Sequence, residues 1–133
     1  MPAGRVFQQG PPDWTGWRFS DNLDTYGFIR GEVNQKIYVS SESEDRTYSG
    51  VIQANGTLAD LKPFAERGGE SVAVDNAGNV YVANGQIIMY DSTGRQTGEI
   101  DVPDRPIDLV FGGKNHNTLF ILAHHALFAA TAQ

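Results

Sequence analysis

The apolar positions of this chain fall in short alternating runs, separated by clusters of Gly, Asn, Asp and Ser. The segment "SVAVDNAGNVYVANG" (71–85) displays the unit: alternating apolar residues, a polar turn, then an apolar-aromatic-apolar run. Alternation over four to eight residues is the period of a half-buried β-strand, because successive side chains point to opposite faces. Within the unit, "DNAGN" (75–79) puts Asn and Gly where a tight hairpin needs positive φ, so two antiparallel strands are expected there. After them "QIIMYD" (86–91) and "QTGEIDV" (96–102), with "STGR" turning between, supply a third and a fourth strand.

The unit recurs. "GFIRGEVNQKIYVSS" (27–41) and "DLVFGGKNHNTLFILA" (108–123) align with it and match Tyr38, Tyr81 and Phe120 at spacings of 43 and 39 residues. Four short strands at such a period make a propeller blade. The expected fold class is therefore all-β, with β-propeller-type repeats forming about three four-stranded blades in a single domain. An N-terminal lead occupies 1–23, blade-like units occupy 24–65 and 66–104, and an incomplete unit occupies 105–133. "YSGVIQA" (48–54) and "LADLKPFA" (58–65) fill the outer places of the first unit around the turn "NGT". The third unit lacks a fourth strand, which "GRVFQQ" (4–9) is a candidate to donate. Val72, Val74, Val80, Val82, Ile88, Leu109, Phe111, Leu119 and Ile121 are expected to pack between blades, with Val110 and Phe128 at the open end.

Composition agrees with this picture and narrows the chemistry. With 133 residues, 40% hydrophobic, the chain is long enough for one real core, and 15 glycines fit many tight turns. No cysteine is present, which excludes disulfides, thiolate nucleophiles and cysteine-zinc sites. A net charge of −6 without any Lys/Arg-rich run argues against nucleic acid. No apolar stretch reaches the roughly 18 residues of a membrane span, and "MPAGRVFQQGPPDW" (1–14) lacks the order of a signal peptide. The chain thus reads as soluble, with neither membrane nor nucleic acid as partner.

The words "ESVAVDNAGNVYVAN" (70–84) and "VPDRPIDLVFGGKNHNTLFILAHHALF" (102–128) resemble the C-terminal blades of the gluconolactonase and regucalcin family. The resemblance covers about 26–128, and its most specific part runs from Arg105-Pro106 to Gly113. It implies a six-bladed propeller that hydrolyses sugar lactones with one divalent metal in its central channel, of which this chain would be half. The family's metal is held by a glutamate of the first blade, an asparagine and an aspartate. No counterpart of the first blade is found here, Tyr26 stands in the asparagine's place and Glu70 in the aspartate's. A phenol is a poor ligand for Ca²⁺, which takes carboxylates and amide or backbone carbonyls.

The resemblance therefore implies Glu70 as a metal ligand for a divalent cation, calcium by its ligand chemistry. Tyr26, Glu70, Ser71 and Asp108 are the implied channel-lining residues, and no catalytic residue is assigned. Read from the residues alone, Glu70 is equally a solvated group at the start of a strand, and Asp108, two residues after Pro106, an ordinary turn residue. "SSESEDR" (40–46) reads as a solvated loop without the spacing of a calcium loop. His124 and His125 are adjacent, so in a strand they would point to opposite faces and not share a metal, and His116 reads as a turn residue. Trp14 and Trp17 read as covers for exposed core edges rather than a sugar platform, and Asn55-Gly56-Thr57 as a hairpin rather than a glycosylation site.

Two classes of function stay open. One is a non-catalytic or weakly active propeller module that binds or assembles through its channel and open edges. The other is a metal-dependent sugar-lactone hydrolase completed by dimerisation. Three blades leave two unpaired ends, so a homodimer closing one six-bladed ring is the expected assembly. A small lactone or sugar is the expected ligand.

Overall fold

A computed structural model describes residues 36–131 in full and, before them, strand backbone at 5–7, 16–18 and 27–28. The architecture is all-β. The first blade-like sheet takes β3 (Gly27–Phe28), β4 (Lys36–Ser41), β5 (Arg46–Ile52) and β6 (Leu58–Ala65). The second takes β7 (Ser71–Val74), β8 (Val80–Asn84), β9 (Gln86–Tyr90) and β10 (Gln96–Ile100). A third, three-stranded sheet takes β11 (Pro106–Gly112), β12 (Thr118–Ala123) and β13 (Leu127–Thr131). Each is an antiparallel meander in chain order, and the first strands lie side by side, β7 against both β3 and β11.

The N-terminal strand departs from expectation. β1 (Arg5–Phe7) pairs with β2 (Gly16–Arg18) in a two-stranded ribbon, Val6 opposite Trp17, and so does not supply the outer place of the third sheet. A hairpin partner close in sequence competes well with a distant edge, because its loop closes at lower entropic cost.

The turns are built by aspartates. At the β7–β8 hairpin Asp75 Oδ1 accepts the Ala77 and Asn79 N–H groups at 3.0 and 2.9 Å, while Oδ2 accepts Asn79 Nδ2 and the Tyr81 hydroxyl, both at 3.0 Å. The β9–β10 hairpin repeats the device, with Asp91 Oδ1 accepting the N–H groups of Thr93 and Arg95 at 2.9 and 3.1 Å. In both turns a glycine three residues on, Gly78 or Gly94, adopts the positive φ that closes the loop.

All nine residues expected between blades lie in two cores on either side of the second sheet. Tyr38, Ala65, Val72, Val80, Val82, Ile88 and Tyr90, with Phe64 and Val74, fill the space toward the first sheet. Ala73, Tyr81, Ala83, Ile87, Val102, Leu109, Leu119 and Ile121, with Met89, Ile100, Phe111, Phe128 and Ala130, fill the space toward the third. Ala73, Tyr81 and Ile87 were absent from the expected set, because alternation was taken to mean one buried face. A sheet covered on both faces instead reads as a near-continuous apolar run, as "VYVA" and "IIMY" do.

The first and second sheets are joined through 66–70 at very close quarters. A Cβ on Gly69 would sit 1.8 Å from the Ala83 carbonyl oxygen, and one on Gly68 2.2 Å from that of Arg46. Only glycine lets the backbone pass there. Polar side chains then latch the connection: Ser40 Oγ donates to the Gly69 carbonyl at 2.8 Å, Thr47 Oγ1 to that of Arg67 at 2.7 Å, and Asp45 accepts the Gly68 N–H at 3.1 Å. The 40–46 loop, expected to be merely solvated, therefore fastens two blades.

The third sheet is covered on one face. Leu109, Leu119 and Ile121 point into the core, whereas Val110, Leu122 and Leu127 are 60%, 47% and 68% exposed. Val110 pairs with Phe120, Phe120 with Ala129 and Leu122 with Leu127, so these side chains form one apolar strip on the outer face. Phe128, expected at the open end beside Val110, pairs with Ile121 and packs inward. Its position in the strand register puts it on the opposite face.

Candidate functional site

The candidate site lies where the first strands of the second and third sheets begin. Glu70 immediately precedes β7, held there by its own N–H donating to the Ala83 carbonyl at 2.9 Å. Its Oε1 accepts Arg105 Nη2 at 2.8 Å, and the same nitrogen reaches Glu42 Oε1 at 3.3 Å. Two carboxylates thus share one guanidinium. Among the described residues Glu70 Oε2 is buried without a hydrogen-bond partner, the uncommon state for a buried polar atom.

One residue further in, Ser71 Oγ donates to Asp108 Oδ1 at 2.8 Å and accepts the Leu109 N–H at 3.1 Å, which bridges β7 to β11. Asp108 also accepts the Leu109 N–H, at 2.9 Å. Asp108 stands inside β11, at a register shift next to Pro106, and not in a turn. Of the four channel-lining candidates, Glu70, Ser71 and Asp108 therefore fall at one end of neighbouring strands; Tyr26 lies outside the described residues.

Arg105 and Glu42 were missed as site residues. Arg105 drew notice as part of a family word and Glu42 as a loop acid, and nothing local joins them, since they are 63 residues apart. Their one available signal was charge: an arginine just before an inner strand, within a chain carrying 16 acidic residues.

The donors among the described residues do not compose a calcium cage. Ca²⁺ takes about six to eight oxygens. Glu70 commits one oxygen to a guanidinium that already neutralises it, and the Asp108 Oδ1 is engaged by Ser71 and Leu109. Among the described residues of this site, Glu70 Oε2 is a buried oxygen with an unmet capacity to accept.

His124 and His125 depart from expectation. They lie in the turn between β12 and β13 rather than within a strand, and their rings meet edge to face with centroids 4.2 Å apart. Among the described residues, no helix is long and apolar enough to cross a membrane.

Comparison with known proteins agrees with the fold. A gluconolactonase from Xanthomonas campestris superposes with a TM-score of 0.71 at 23% identity, over 90% of this chain and 42% of that one. A calcium-binding regucalcin from Agrobacterium tumefaciens superposes with a TM-score of 0.68 at 15% identity, over 85% of this chain and 43% of that one. No curated protein matches significantly by sequence. The chain is a β-propeller segment that spans less than half the length of these structures. The profile of the SMP-30/gluconolactonase/LRE-like region matches residues 31–125, and the chain belongs to that family.

Proposed function

We propose that this chain is a lactonase-family propeller module that acts by assembly and ligand binding rather than by efficient catalysis, its third sheet seating a further blade from a second copy. The observation that carries this reading is the outer strip of Val110, Phe120, Leu122 and Leu127 on a sheet whose other face is core. The equivalent layers on either side of the second sheet are fully packed, so the strip has the composition of an inter-blade face without a blade on it. Two copies of three blades would close the six-bladed ring that the family resemblance implies, and closed two-fold assemblies are the commonest oligomers. A small lactone or sugar is the proposed ligand, at the end of the strands where Glu70 and Asp108 lie.

Sedimentation of the untagged chain at micromolar concentration tests the assembly. A double-mass particle reduced to single mass by Val110→Asp or Leu127→Asp supports it. A parent of single-chain mass overturns it.

The buried, unpartnered Oε2 of Glu70 favours a second reading, a metal-dependent sugar-lactone hydrolase whose remaining donors come from outside the described residues or from the second copy. Calcium is the proposed cation. Chelator-sensitive hydrolysis of a sugar lactone, lost in Glu70→Gln, would establish this reading over the first.

A further inference from the structure

The turn between β12 and β13 and the loop leading into β11 bring three metal-ligating side chains together at the surface. One ligand atom from each of Asp104, His124 and His125 lies within 4.8 Å of the other two. The His125 Nδ1 stands 3.3 Å from Asp104 Oδ2. Two ligands bound at about 2.0–2.2 Å with a tetrahedral angle between them stand roughly 3.3–3.5 Å apart, so this edge already has the length of a coordinated pair.

Backbone hydrogen bonds hold the carboxylate and the turn that carries the two imidazoles. The His125 N–H donates to Asp104 Oδ2 at 2.5 Å, and the His124 N–H to the Arg105 carbonyl at 3.0 Å. The turn itself closes through the Ala123 N–H donating to the Ala126 carbonyl at 2.8 Å. Asp104 Oδ1 also accepts the Arg105 N–H at 2.9 Å. A carboxylate so anchored offers its free lone pairs in a fixed direction.

We propose that Asp104, His124 and His125 form a surface site for a zinc-class divalent ion, with the remaining coordination left to water or a ligand. Two imidazoles and one carboxylate are a borderline-soft donor set, which selects zinc, nickel or copper over the hard, oxygen-seeking calcium and magnesium. The site is separate from the donors of Glu70 and rests on neither reading of the family's activity. A bound ion would clip the loop before β11 to the adjacent turn between β12 and β13, so it would stabilise the third sheet, the one with an uncovered face.

Isothermal titration of zinc chloride into the untagged full chain, with thermal melting in parallel, tests the site. One equivalent should bind, with a rise in melting temperature, and calcium chloride should not compete. His125→Ala and Asp104→Asn, checked for folding by circular dichroism, should each weaken binding about tenfold or more, the order expected when ligands or their direct supports are lost. His116→Gln should leave it unchanged. Absence of saturable binding in the parent, binding untouched by His125→Ala, or binding lost in His116→Gln would overturn the proposal.

Discussion

The second and third sheets share a strand pattern but differ in what they touch. In the second, both faces are core, and side chains as different as Val80, Val82, Ala83 and Ile87 are all buried. In the third, only one face is core, and the alternation of buried Leu109, Leu119 and Ile121 with exposed Val110 and Leu122 is preserved in space. Apolar residues on both faces thus carry different meanings: in the second sheet they are interior, and in the third half of them form an uncovered surface. Natural sheets blunt such surfaces with charge or cover them.

The largest expected effect breaks the second sheet. Val82→Asp would bury an unpaired charge at a fully enclosed position and should cost about 3 kcal/mol or more in urea unfolding. A smaller loss would mean that the second sheet is not enclosed on both sides.

Next comes the seam that presses the first sheet onto the second. Gly69→Ala would force its methyl group into the Ala83 carbonyl and move backbone, costing about 1–3 kcal/mol as overpacking does. An unchanged melting temperature would show that the connection lies less closely on the second sheet than described.

The hairpin of the second sheet can be probed by pH. Burial, and then the hydrogen bond and charge of Asp75, push the Tyr81 hydroxyl up to about 12, while the unfolded chain titrates near the ordinary phenol value of 10.0. A raised phenol pKa means that the folded state holds the proton more tightly. This contribution is fully present below pH 10 and is lost as pH climbs from 10 toward 12. Melting temperature should fall over that window, and Tyr81→Phe should flatten the fall at a cost of about 1 kcal/mol at neutral pH. An identical alkaline slope in the variant would remove the Asp75–Tyr81 bond from the account.

The smallest effect should come from the outer face of the third sheet. Val110→Asp should change the stability of the isolated chain by no more than about 0.5 kcal/mol, as for other exposed positions. The contrast with Val82→Asp is the test: equal costs would show that the outer face is as enclosed as the core.

Much of the architecture was legible because it is local. The period-two alternation marked the strands, and Asp75 and Asp91 each hydrogen-bond groups within six residues of themselves, so the two hairpins were readable from neighbours alone. The site was legible in part. Glu70 and Asp108 were found through a family resemblance, whereas Arg105 and Glu42 required knowing which loops meet. The histidine pair was misjudged because a strand was assumed where the chain turns.

By itself the sequence determined the strands, the tight turns and the blade period, all of which follow from side-chain alternation and from hydrogen bonds a few residues in reach. Tertiary structure decided which faces are buried, since Val110 and Val82 are alike in the chain and differ only in whether another sheet lies above them. It also decided that Arg105 neutralises Glu70 across 35 residues and that Asp104 meets His125 across 21. Such contacts depend on where packed sheets set the ends of distant strands, and no local pattern encodes that placement.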